Sequence, residues 1–105
     1  MPKTISELQE TLTPVFESYG VTRVILFGSY ACDKATDKSD VDLLVNSSLH
    51  GLRFVGFMEA VASVLDIPVD IFDVSHIESG SRIDREIRET GVTIYENGSI
   101  CAPMN

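Results

Sequence analysis

The sequence predicts a mixed α/β (α+β) domain, in which a sheet of about four strands is flanked by helices. Three stretches carry apolar residues at helical spacing, and four short runs are rich in branched and aromatic residues. The two kinds of stretch alternate in the order α-β-β-α-β-α-β, which is typical of helices packed against a sheet. The length of 105 residues predicts one domain, residues 1–105, because two cores would need a longer chain.

The first predicted helix has a clear start and a clear stop. Thr4 followed by Glu7 matches a capping box, and the left-handed conformation that glycine adopts easily makes Gly20 a natural stop. Pro14 lies inside this stretch, so we expect a kink or two short helical pieces.

Two strands should follow, joined by a polar turn. The runs VTRVILF (21–27) and DVDLLVN (40–46) have the composition of buried strands. Between them, small and polar residues predict a turn, with one helical turn starting near Ser29.

The second half predicts a helix at 52–66, a strand at 67–74, a charged helix at 81–90 and a last strand at 92–96. Residues 97–105 look like a loose tail. The expected buried face of the helix at 52–66 consists of Leu52, Val55, Met58, Ala62 and Leu65.

Composition excludes several classes of function. The net charge of −8, from 16 acidic and 8 basic residues, argues against a surface that coats nucleic acid. No stretch has the roughly 18 to 20 apolar residues of a membrane span, and no signal peptide is recognisable. The two cysteines, Cys32 and Cys101, have no metal or redox spacing, so we expect free thiols in a cytoplasmic protein.

Carboxylates inside predicted strands are the main candidates for function. Because side chains alternate along a strand, Asp40 and Asp42 should share one face, roughly 6 to 7 Å apart. Asp70 lies in the next predicted strand and can join them if the two strands lie side by side, whereas Asp73 should face the other way. Clustered carboxylates destabilise a fold unless a cation lies between them, and oxygen ligands favour Mg²⁺. An isolated D-x-D is more often a solvated edge, but here the flanking residues are apolar.

Gly28 and Ser29 follow directly after the first strand. A glycine there lets the backbone approach a ligand closely, and a following helical turn directs N–H groups at phosphate. A Gly-Ser pair alone is an ordinary turn. Its position ten residues before the D-x-D motif makes it a candidate phosphate-binding loop.

Gly28-Ser29, ten intervening residues and then Asp40-Val41-Asp42 resemble the signature of the nucleotidyltransferase superfamily that includes DNA polymerase β. The short length and the wording SDVDLLV resemble its minimal nucleotidyltransferases, over about residues 5–96. The resemblance implies a nucleotidyltransferase-type fold, Mg²⁺, and a nucleoside triphosphate substrate. Gly28 and Ser29 would hold the β- and γ-phosphates, Asp40 and Asp42 the metal ions, and Asp70, the third carboxylate, would ligate metal and activate the attacking hydroxyl.

The resemblance also implies a reaction and a partner. The expected reaction transfers a nucleoside monophosphate, AMP from ATP, to a hydroxyl acceptor. Small members of the family are paired with helical HEPN-type proteins in toxin–antitoxin systems, where the nucleotidyltransferase is the antitoxin. A basic protein partner would suit the negative charge. The base preference, the acceptor and homo-oligomer formation stay open.

The sequence departs from the family pattern immediately after the Gly-Ser pair. The family reads G-S-x-A-R-G, but Cys32 and Asp33 stand here in place of the arginine and the second glycine. One lost charge-assisted contact is worth on the order of 1.5 to 3 kcal/mol, unless Lys34 or Lys38 compensates. The alternative function is therefore a catalytically weakened antitoxin that acts by protein binding.

Other candidate residues have simpler explanations. His50 and His76 are expected to be surface histidines, and Tyr30 to be a packing residue. The charged run SRIDREIRE (81–89) is expected to form a solvated face with Ile83 and Ile87 turned inward.

Overall fold

The computed structural model describes residues 3–36 and 38–96. Four strands form one sheet in the order β3-β2-β1-β4: β1 Arg23–Phe27, β2 Val41–Asn46, β3 Val69–Asp73 and β4 Val92–Glu96. β1 pairs antiparallel with β2 and β4, whereas β2 and β3 pair in parallel. The predicted fold class and element order are confirmed, and the second and third strands lie side by side, as the predicted carboxylate cluster requires.

Three helices and one short 3₁₀ helix accompany the sheet: α1 Ile5–Tyr19, α2 Gly51–Val64, α3 Arg82–Thr90 and a 3₁₀ turn at Val74–His76. α1 is one continuous helix that contains Pro14, so the expectation of two short pieces is wrong. The capping box and the left-handed Gly20 at its ends are confirmed. The predicted tail, residues 97–105, lies outside the described residues. Among the described residues, no helix is long and apolar enough to cross a membrane.

α1 and α2 cover one face of the sheet and enclose the main core. Leu12 and Phe16 of α1 and Phe57 and Val61 of α2 are fully buried there, together with Leu26 of β1. The predicted buried face of α2 is partly wrong, because the helix turns its phenylalanines inward. Leu52 is 88% exposed as a result, and Val55 is exposed as well.

The opposite face of the sheet carries a smaller apolar cluster. Phe27 and Leu44 are buried without belonging to the main core, and the Phe27 ring lies 5.6 Å from the Phe72 ring. α3 packs against β1, and its Ile83 and Ile87 are half-buried. Because side chains alternate along β2, this second face is also the one to which Asp42 points.

Candidate active site

The candidate phosphate-binding loop begins at Gly28, which lies close to the carboxylate of Asp42. Gly28 follows β1, is buried and has a φ of +83°. A Cβ atom built there would lie 2.6 Å from Oδ2 of Asp42, closer than carbon and oxygen atoms approach without bonding. The turn therefore requires glycine on two grounds, the left-handed backbone and the contact with Asp42.

The turn after Gly28 leaves hydrogen-bond donors available. The N–H groups of Ala31 and Cys32 donate to the Gly28 carbonyl, and Lys34 N–H donates to the Ser29 carbonyl at 2.9 Å. Within the described residues, neither the N–H nor the hydroxyl of Ser29 has a protein partner. The predicted helical turn near Ser29 is thus a hydrogen-bonded turn, and Ser29 retains the two donors that a phosphate would use.

The sheet brings two of the three predicted carboxylates, Asp42 and Asp70, to one face, whereas Asp40 precedes β2. Asp42 stands directly opposite Asp70 in the parallel register of β2 and β3, and opposite Phe27 in β1. Neighbouring strands lie about 4.8 Å apart. Asp40 and Asp70 are exposed, whereas Asp42 is half-buried against the Gly28 turn. Asp73 falls on the other face, as its odd spacing from Asp70 predicted.

The electrostatics of the site centre on Asp42. Burial is the main cause that raises the pKa of the Asp42 carboxyl from 3.8 to about 6. Repulsion by the negative charges of Asp70, Glu86 and Asp40 adds to this rise in the pKa, in that order. The site thus concentrates negative charge on a carboxylate that is partly removed from water, and a cation would relieve the repulsion.

Two residues of α3 belong to this site and were missed in the sequence. Glu86 acts electrostatically on Asp42, and the Thr90 hydroxyl accepts a hydrogen bond of 2.8 Å from the Gly28 N–H. Glu86 belongs to the run 81–89 that the sequence predicts to be a solvated face, and Thr90 follows that run directly. A signal existed, because Glu86 lies between the inward-turned Ile83 and Ile87 and therefore at the border of the buried side of α3.

A sequence comparison identifies the family. Residues 10–99 match the family model Polbeta, described as polymerase beta, nucleotidyltransferase. The chain belongs to this nucleotidyltransferase family. Among its relatives is the protein adenylyltransferase MntA of Thermococcus cleftensis, 34% identical over 85 residues that span 73% of this chain and 84% of MntA.

Solved structures with the same fold come from toxin–antitoxin complexes. A chain from a toxin–antitoxin structure with AMP-PNP superimposes with a TM-score of 0.70 at 19% identity, covering 88% of this chain and 76% of that one. A second comes from the tri-AMPylated Shewanella oneidensis HEPN toxin in complex with MNT antitoxin, with a TM-score of 0.66 at 17% identity and coverage of 93% and 77%. At these identities the likeness concerns the fold of the nucleotidyltransferase.

The side chains of this nucleotidyltransferase site offer oxygen ligands only. The oxygen-only chemistry of Asp42 and Asp70 in register suits a hard cation. Within residues 3–36 and 38–96, however, no group of three or more His, Cys, Asp or Glu side chains is arranged to hold a metal ion. Mg²⁺ in phosphoryl-transfer sites is held by one or two carboxylates together with substrate phosphates. Asp42 and Asp70 therefore match the number of ligands that a protein supplies to such a site.

The loop that departs from the family pattern is solvent-exposed. Cys32 is an exposed free thiol, and the exposed Asp33 has a left-handed backbone with a φ of +62°. A left-handed conformation is easiest for glycine, which the family has at this position. Lys34 and Lys38 are exposed too, and neither takes part in an ion pair described for the chain.

The remaining candidates lie away from the carboxylate cluster. Asp73, His50 and His76 line a cleft of about 330 Å³ at the carboxyl ends of β2 and β3. Asp73 accepts hydrogen bonds from the N–H and the hydroxyl of Ser75, and these lower the pKa of its carboxyl. Both histidines are exposed and Tyr30 is buried in the main core, which agrees with their predicted roles.

Proposed function

We propose that this nucleotidyltransferase is a Mg²⁺-dependent protein adenylyltransferase, which transfers AMP from ATP to a hydroxyl group of a partner protein. The observation that carries the proposal is the contact between the Gly28 turn and Asp42, with Asp70 in register beside it. This arrangement joins a phosphate-binding turn to a carboxylate pair, which is the combination that nucleotidyl transfer requires.

Each predicted residue has a role in this reaction. Gly28 permits the close approach of the triphosphate, and the N–H and hydroxyl of Ser29 donate hydrogen bonds to its β- and γ-phosphates. Asp42 and Asp70 would hold the metal together with the phosphate oxygens, and the nearby negative charge of Asp40 would support its binding. Mg²⁺, when bound, would supply charge neutralisation for the triphosphate.

The chemical step is an in-line displacement. The acceptor oxygen forms a bond to the α-phosphorus, and the bond from that phosphorus to the bridging oxygen of the β-phosphate breaks. Pyrophosphate leaves, and the Asp70 carboxylate accepts the proton of the acceptor hydroxyl. Asp70 suits this role because it is exposed at the edge strand β3, where an acceptor can reach it.

The relatives support a protein acceptor and a toxin partner. MntA of Thermococcus cleftensis is a protein adenylyltransferase, and one structural neighbour comes from a complex of a tri-AMPylated HEPN toxin with an MNT antitoxin. We therefore propose a helical HEPN-type protein as the partner and acceptor of this chain. The net charge of −8 would favour a basic surface on that partner.

The composition of the loop after Gly28 supports a second candidate function. The loop position where the family has arginine is the exposed Cys32, and Asp33 adds negative charge next to it. A site with less positive charge binds triphosphate more weakly. The second candidate is thus an antitoxin that neutralises its partner by binding, with slow or no AMP transfer.

Transfer of AMP can be measured directly. The chain is co-expressed with a HEPN-type protein from the same genome, purified, and incubated with Mg²⁺ and ATP labelled on the α-phosphate. Adenylyl transfer predicts label on the HEPN-type protein, a mass increase of whole AMP groups, and loss of both in Asp42→Asn. A stable complex without label, in wild type and variant alike, would favour the binding antitoxin instead.

A further inference from the structure

A single hydroxyl connects α3 to the phosphate-loop candidate. Thr90 Oγ1 lies 2.8 Å from the Gly28 N and 2.8 Å from the Glu86 carbonyl oxygen. A hydroxyl has one proton. Since the carbonyl can only accept, that proton goes to Glu86, and Oγ1 must accept from the Gly28 N–H. The geometry therefore fixes the direction of both hydrogen bonds.

These bonds determine where Gly28 can lie. The Gly28 N–H is held by Thr90, and the Asp42 carboxylate lies where a Cβ atom of the same residue would be. A shift of the Gly28 peptide would move the Ser29 donors and open or close the space around Asp42. Thr90 is not itself a predicted phosphate or metal ligand, but it holds Gly28, which precedes Ser29 in the chain and lies against Asp42.

We propose that Thr90 is a positioning residue for nucleotide binding, which acts by fixing the Gly28 peptide between α3 and Asp42. The proposal rests on the proposed nucleotidyltransferase function. It explains why the last residue of α3 is a threonine whose hydroxyl is partly buried, and it gives α3 a function besides covering the sheet.

The chain offers a matched control for a threonine hydroxyl in a helix. Thr13 of α1 donates to the Gln9 carbonyl at 2.6 Å, the same bond to residue i−4 that Thr90 makes to Glu86. α1 covers the other face of the sheet, and Thr13 makes no contact with the Gly28 turn. Thr13→Val and Thr90→Val therefore remove the same intrahelical bond, but only Thr90→Val also removes the acceptor of Gly28.

The experiment compares wild type, Thr90→Val, Thr90→Ser and Thr13→Val. Amide hydrogen exchange of Gly28 is followed by NMR without nucleotide, and AMP-PNP with Mg²⁺ is titrated calorimetrically into each protein. In Thr90→Val we expect fast exchange at Gly28 and AMP-PNP binding weakened about 10-fold, the effect of leaving one buried donor unpaired. Thr90→Ser should keep both properties near wild type, and Thr13→Val should leave both unchanged.

The outcomes separate this inference from the proposed function. If wild type binds AMP-PNP and Thr90→Val binds it equally well, the positioning role is wrong and the proposed function stands. If wild type itself binds no AMP-PNP, the proposed function and the role of Thr90 in nucleotide binding both fail. Should Thr90→Val not fold, Thr90→Ser decides, because loss of AMP-PNP binding in that folded, hydroxyl-bearing variant would contradict the proposal.

Discussion

Replacing Asp42 by asparagine should stabilise the protein, although Asp42 is the central carboxylate of the site. The folded-state pKa of Asp42 is raised from 3.8 to about 6. A raised pKa of an acid means that the folded state prefers the protonated form. The associated stability is fully present below pH 3.8 and is lost as the pH rises through about 6.

The size of the effect follows from the pKa values. An increase in pKa from 3.8 to about 6 sets an upper limit of about 3 kcal/mol on the stability lost once the carboxyl is ionised at pH 7.5, and because solvent screens this half-buried group we expect about 1 to 2 kcal/mol. At pH 4.5, between the two pKa values, the same calculation and the same screening leave about 0.5 kcal/mol. Asparagine has nearly the same shape and carries no charge, so Asp42→Asn should recover these amounts.

The assay is urea unfolding of wild type and Asp42→Asn at pH 4.5 and pH 7.5, in EDTA. We expect the variant to be more stable at both pH values, with the larger gain at pH 7.5. Mg²⁺ should then stabilise wild type and leave the variant unchanged, because only the wild type has the full carboxylate set. Equal stabilities at pH 7.5, or a larger gain at pH 4.5, would refute the electrostatic account of the site.

Three further predictions test other parts of the structure. Asp73→Asn should destabilise the protein near neutral pH, which is the opposite of the effect expected for Asp42→Asn. The Ser75 hydrogen bonds lower the pKa of Asp73 and so contribute stability that is lost only as the pH falls through that pKa. Unfolding curves at pH 7.5 that match wild type would contradict this. Gly28→Ala should abolish AMP-PNP binding in calorimetry and lower the melting temperature. The new methyl group would meet Asp42, and the left-handed backbone costs a non-glycine residue roughly 1 to 2 kcal/mol. Unchanged binding would show that the close approach of Gly28 to Asp42 is dispensable. The pair Cys32→Arg with Asp33→Gly should tighten AMP-PNP binding about 10- to 100-fold through one charge-assisted contact, and an unchanged dissociation constant would remove the loop from the account.

The fold could be predicted because its patterns are local. Thr4 and Gly20 mark the ends of α1, and alternation along β2 and β3 correctly assigns Asp42 and Asp70 to one face and Asp73 to the other. These features depend only on the periods of helices and strands. The register that sets Asp42 opposite Asp70 then follows from pairing two strands with the same apolar pattern.

The parts that escaped prediction depend on contacts between distant segments. α2 is apolar nearly all round, so periodicity alone could not decide that Phe57 faces inward and Leu52 faces solvent. Glu86 and Thr90 reach the site because α3 packs against β1. A charged helix gives no sequence signal for which of its polar residues meets a glycine 62 residues away.

A metal-dependent nucleotide site is tested most directly by a calorimetric titration of AMP-PNP into the protein, with Mg²⁺ and with EDTA, using wild type and Asp42→Asn. We expect binding that requires Mg²⁺ and disappears in the variant, because the Gly28 turn and the carboxylates form one site. Binding that is the same in EDTA, or that survives Asp42→Asn, would contradict a metal-dependent nucleotide site at this face of the sheet.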